Sequence, residues 1–119
     1  MSITKNTQYG NIKISIEAIA SLAGGVVTEC YGVVGMASQK FLKDGLAELL
    51  KKENYSKGVV VKDNDGILEL DLYIIVSHGV KISEVVHEAQ KKVKYILEKT
   101  LELDFNTINV FVQDVKVIK

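Results

Sequence analysis

Few side chains in this sequence are of a kind that does chemistry, and their spacing limits what they can do. Cys30 is the only cysteine, and His78 and His87 are the only histidines. A catalytic thiol needs a base within hydrogen-bond reach and an electropositive, partly exposed setting. Cys30 instead falls on an apolar stripe with Ile16, Ile19, Ala20, Ala23, Val26 and Val27, which makes it a small packed hydrophobe. One cysteine and two histidines nine positions apart do not complete a zinc set. Asp63-Asn64-Asp65-Gly66 has the opening letters of a calcium loop, which needs glycine sixth and a bidentate Glu twelfth. Here glycine comes fourth and Ile74 twelfth, so the run is expected to be a hairpin turn. No metal and no cofactor are expected.

Gly32-Val33-Val34-Gly35 has the spacing of the loop with which KH domains clamp a nucleic-acid backbone. That loop normally joins two helices and is basic. Here both inner residues are valine, and a strand is expected after Gly32. Neither the phosphate-binding loop nor the dinucleotide fingerprint occurs. All fifteen basic residues are lysine, balanced by fifteen acids. Nucleic-acid binders usually carry a basic excess, and arginine's bidentate fork is missing. Lys40, Lys43, Lys51, Lys52 and Lys57 alternate with Asp44, Glu48 and Glu53 as on a solvated helix face. A KH-like nucleic-acid module using Gly32 to Gly35 is therefore the alternative reading. Nothing pairs a nucleophile with a base, so no reaction class can be argued. The expectation is a non-enzymatic protein.

The elements that would position these residues follow from periodicity. Residues 11–15 alternate as a short strand, and Ser15 stands where a helix N-cap belongs. The helix after it carries the stripe ending at Cys30, with Gly24-Gly25 inside at a cost of about 1 kcal/mol each. Close approach of a strand or a second subunit would compensate. Gly32 reads as a C′ glycine. A strand is expected over 33–37, an amphipathic helix over 40–53, and a strand at Val59-Val60-Val61. The clearest strand is 67–76, with Leu68, Leu70, Leu72, Ile74 and Val76 on one face and Ile67, Glu69, Asp71, Tyr73 and Ile75 on the other. The second face is only half polar, so an insert or a partner would cover part of it. Ser83 is expected to cap a long helix with the stripe Val85, Val86, Ala89, Val93, Ile96, Leu97 and Leu101. The last strand, 107–117, shifts apolar parity near Gln113-Asp114, which implies a bulge.

The order β-α-β-(α)-β-β-α-β predicts an α+β two-layer sandwich, a mixed sheet with two main amphipathic helices on one face. With 119 residues, no proline and no linker, one domain over 1–119 is expected. The other sheet face, with Glu69, Asp71, Tyr73, Asn109 and Phe111, is the candidate partner-binding surface. No apolar run approaches the ~20 residues of a membrane span, and residues 1–10 lack a signal-peptide core. A cytoplasmic location is expected, with any membrane association made through a partner.

Three stretches together resemble the alkaline-shock-protein (YloU-like) family of stress-associated proteins in Gram-positive bacteria. They are Gly10-Asn-Ile-Lys-Ile-Ser15 with its following helix, Gly32-Val33-Val34-Gly35-Met36, and Gly66 to Val117 with the strand, Gly79 break, helix and Ile108-Asn-Val-Phe-Val-Gln-Asp-Val115 run. The match spans about nine-tenths of the sequence and consists of glycines and apolar positions, so it carries over no catalytic residue. Two features depart from the family pattern: His78 stands where an aromatic residue is more usual, and 40–57 is the least family-like part. The resemblance implies a short housekeeping member without charged tails, non-enzymatic and linked to envelope or alkaline stress. It also implies either a membrane-protein tether or a kinase-like protein as partner. Together with the absent catalytic set and the half-apolar second sheet face, it leads to the expectation of a self-associating homo-oligomer.

Overall fold

The strongest alternation in the sequence becomes the centre of the sheet. The computed structural model describes residues 2–41 and 47–117. In chain order the elements are β1 (Ser2–Thr7), β2 (Gly10–Ser15), α1 (Ile16–Thr28), β3 (Val33–Phe41), β4 (Ala47–Leu49), a 3-10 helix (Lys52–Gly58), β5 (Val59–Asn64), β6 (Ile67–Ser77), α2 (Ile82–Leu101) and β7 (Phe105–Lys116). β7 runs parallel to β6 along nearly its whole length. A strand has two edges, so β5 and β3 share the other. β5 takes Ile67 to Leu72 and β3 takes Ile74 to Val76, both antiparallel, and β4 adds to β3. The fold is α+β with a mixed sheet, as the pattern predicts.

Leu68, Leu70, Leu72, Ile74 and Val76 are buried in one cluster with Ile19, Ala23 and Val27 of α1 and Val85, Ala89, Val93 and Leu97 of α2. The two stripes at i, i+4 spacing are therefore the helix faces laid on the sheet. A parallel pair needs a crossover, and α2 supplies it between β6 and β7. The hairpin turn is as expected: Asp65 and Gly66 both have positive φ, and Asp63 Oδ1 accepts from Gly66 N–H at 3.1 Å. The register shift in β7 opposite Ile74 and Ile75 is the bulge that the change of parity implied.

Ser15 caps α1: its backbone is extended and its Oγ accepts from Ala18 N–H at 3.1 Å. α1 ends at Thr28 with Glu29 as its cap, so Gly32 lies three residues beyond and serves the turn into β3, with φ +87°. Of the paired glycines, Gly24 has a reason in the fold, because a Cβ there would strike the Tyr55 ring of the 3-10 helix. A Cβ on Gly25 would meet nothing. Gly25→Ala should therefore stabilise the protein by about 0.5–1 kcal/mol, and Gly24→Ala should destabilise it by about 1–3 kcal/mol. Urea titration of the two variants reads both signs.

Three local expectations differ from the structure. Residues 2–7 form a strand, paired with β2 from Ser2↔Ser15 to Thr7↔Gly10 in a separate two-stranded sheet. Its polar sequence hides it: only Ile3, with Ile14 of β2, reaches the core. The helix expected over 40–53 is replaced in its described parts by the end of β3, by β4 and by the start of the 3-10 helix; residues 42–46 lie outside the described residues. Leu49 and Leu50 show why. Leu49 stays half exposed over Gly35 while Leu50 is buried, with its N–H on Met36 O at 2.8 Å. Adjacent residues on opposite sides is strand geometry. Finally, α2 begins one residue before Ser83, at Ile82, with Lys81 as a cap whose side chain makes no capping hydrogen bond. Lys81 O instead accepts from Glu84 and Val85 N–H, closing the first turn.

Candidate functional site

Helices cover one face of β6, and the candidate surface is the other. The register Asp71↔Asn109 and Tyr73↔Phe111 places the β7 residues beside their β6 counterparts. Glu69 lies on the same face two residues before Asp71, so the fold brings all five expected residues together. The Tyr73 and Phe111 rings stack with centroids 4.8 Å apart and planes 16° from parallel. Offset-stacked aromatic pairs of this kind make a rigid apolar plate. Tyr73 is half-buried, and Phe111 is 42% exposed.

Asp71 is the buried acid of the face, 4% exposed. Its Oδ2 meets Lys62 Nζ at 3.2 Å, and its Oδ1 accepts from Asn109 Nδ2 at 2.9 Å. A buried carboxylate needs such partners, because an unpaired one carries a large desolvation cost. Lys62 answers in kind: its hydrogen bond to Asp71 raises the ammonium pKa above the ordinary lysine value, and the charges of Asp71 and Glu69 add to this. Spacing along the strand did not single out Lys62. The signal was in the turn, since a hairpin tip at Asp65-Gly66 fixes Lys62 opposite Glu69 and beside Asp71.

The upper part of this face is closed by the chain itself. β3 bulges between Val33 and Gly35, and Ala37 and Ile75 are then fully buried together, with Val34 and Tyr73 packed against them. Gln113 Nε2 donates to Ser38 O at 3.2 Å and Gln39 O at 3.3 Å, linking β7 to β3 across β6. What remains open is an aromatic plate beside a fixed Lys62–Asp71–Asn109 set, with Glu69 at the margin. Each Asp71 carboxylate oxygen is already engaged, one by Lys62 and the other by Asn109. The arrangement suits recognition of a surface that offers apolar and hydrogen-bonding groups.

The other residues weighed for chemistry are not assembled. Cys30 is buried, its thiol leans on Val26 O at 3.5 Å, and burial raises its pKa, against the pull of Lys92. It lines a cleft of about 230 Å³ with Tyr31, Val80, Glu84 and Glu88, and neither histidine lines that cleft. His78 and His87 are exposed, in the turn after β6 and on the outer side of α2. No group of three or more His, Cys, Asp or Glu among the described residues could hold a metal ion. Gly32 lies in the turn between α1 and β3, while Val33 and Gly35 are paired with β6, so this stretch is not a loop between two helices. Among the described residues no helix is long and apolar enough to cross a membrane.

Residues 4–117 match the model of the alkaline shock protein 23 family, described as having cell envelope-related function. The chain is 52% identical over 117 residues to the uncharacterized protein YloU of Bacillus subtilis, covering 98% of each. It is 48% identical over 118 residues to an uncharacterized protein of Streptococcus pyogenes, covering 99% of this chain and 98% of that one. A second uncharacterized protein of Bacillus subtilis, YqhY, is 31% identical over 108 residues, covering 91% of this chain and 78% of the relative. No solved structure matches the chain.

Proposed function

This chain belongs to the alkaline shock protein 23 family, of cell envelope-related function, and from that premise we propose that it is a non-enzymatic interaction module. It associates with itself and docks a protein partner on the open part of the outer sheet face. The observation that carries the reading is the Tyr73–Phe111 plate, stacked at 4.8 Å and left partly exposed beside the Lys62–Asp71–Asn109 set. Interfaces concentrate their energy in a few aromatic anchors ringed by satisfied polar groups, and this face has that composition. The protein acts in the cytoplasm and reaches the envelope through its partner, either a membrane protein that tethers it or a soluble kinase-like protein.

The test is capture from lysate of the protein's own host with the wild-type chain and with Phe111→Ser, whose side chain is exposed enough for the fold to survive the change. A specific protein recovered by the wild type and lost by at least about tenfold in the variant is the expected result, the usual weight of a hot-spot aromatic. Equal recovery by both chains removes the face from the account.

A further inference from the structure

β7 is a sheet edge. It pairs with β6 on one side, and among the described residues no strand pairs with the other. An open edge is a template for another chain, and natural edges are usually blunted with charge or proline. Phe105 to Gln113 contains neither. α2 shields the first half of the strand instead: Gln90 Nε2 donates to Ile108 O at 2.9 Å and Lys94 Nζ to Phe105 O at 2.7 Å. The apolar side chains left open lie in and just beyond the second half, with Val115 44% and Val117 69% exposed.

The only charges within β7 are Asp114 and Lys116, of opposite sign and flanking Val115. Run antiparallel about a two-fold axis through Val115, the strand is complementary to itself. Asp114 faces the partner's Lys116, Lys116 faces the partner's Asp114, and the two Val115 side chains meet on the axis. Opposite charges directly across a strand pair stabilise it, and like charges destabilise it. A parallel arrangement would set Asp114 beside Asp114. We propose that β7 pairs in this antiparallel way with β7 of a second copy, joining two sheets into one. The proposal rests on the self-association part of the function above and names its surface. It also gives the closed two-fold symmetry most common among homo-oligomers. In the single copy Asp114 Oδ1 accepts from Val115 N–H at 2.8 Å, a local bond that pairing exchanges for one between strands.

Sedimentation velocity on the full chain tests this with Asp114→Lys and Lys116→Asp. The wild type should form dimers. Each variant alone sets like charges across the axis twice and should self-associate at least about tenfold more weakly, with an unchanged thermal midpoint showing that it is folded. An equimolar mixture of the two variants restores both opposite-charge pairs and should dimerise again. A wild type that is monomeric at every concentration reached overturns the proposal. So do single variants that dimerise as well as the wild type, or monomeric variants whose mixture stays monomeric. Partner capture through Phe111 is a separate readout, so equal capture by the wild type and Phe111→Ser with the dimer intact counts against the docking face alone.

Discussion

Phe105→Ala is expected to cost about 3–5 kcal/mol of folding stability, the usual toll of emptying an aromatic site in a core. Phe105 is fully buried and is among the largest side chains with no exposed surface. It opens β7 opposite Leu68, where the chain returns from α2 to the sheet. That return is pinned beside it. Lys94 Nζ holds Phe105 O at 2.7 Å, Asp104 Oδ1 at 3.0 Å and Glu98 Oε1 at 3.1 Å. Hydrogen bonding between the two side chains raises the pKa of Lys94 and lowers that of Asp104. Removing the ring leaves a void that a pinned backbone cannot close, so the loss should fall at the upper end of the range. With a slope of about 1–3 kcal/mol per molar in urea, the midpoint should move down by more than about 1 M while the slope holds. A loss under about 1 kcal/mol would mean that the strand start relaxes freely and that this account of the junction is wrong.

Gly32→Ala should cost about 2–4 kcal/mol, the sum of a backbone and a packing penalty. At φ +87° a side chain is strained, and a Cβ there would come within 2.7 Å of Val85 Cγ2 and 3.3 Å of Val80 Cγ1. The position also joins two elements, since Gly32 O accepts from Ser77 N–H at 2.8 Å and ties the start of β3 to the end of β6. Gly66 has the same φ but open space around it, so Gly66→Ala carries only the backbone share, about 1 kcal/mol. Equal losses at the two positions in parallel urea titrations would refute the close approach of Val85.

Much of this architecture was legible because it is periodic. The alternation from Leu68 to Val76 marked the central strand, Ser15 marked the start of α1, Asp65-Gly66 marked the hairpin, and the parity change near Gln113 marked the bulge. β1 was not legible, because a strand with one core residue leaves almost no alternation to read. The segment 40–53 misled because leucines among lysines and acids fit a helical stripe as well as a strand, and tertiary pairing with β3 decides between them. At the candidate site, strand parity put Glu69, Asp71, Tyr73, Asn109 and Phe111 on one sheet face. That Asn109 and Phe111 stand directly beside Asp71 and Tyr73 depends on the register of β7, parallel to β6. The burial of Asp71 by Lys62 and Asn109, and the closure of Ile75 by the bulged β3, are long-range facts that no local pattern carries.

The central claim is that the outer sheet face docks a protein partner, and photo-crosslinking in the living host tests it most directly. A photoreactive residue replaces Phe111 in one strain and Glu88, on the opposite side of the molecule, in another. The account predicts a discrete adduct with one protein from position 111 and none from position 88. Adducts from position 88 alone, or none from either while capture from lysate still recovers the partner, would contradict it.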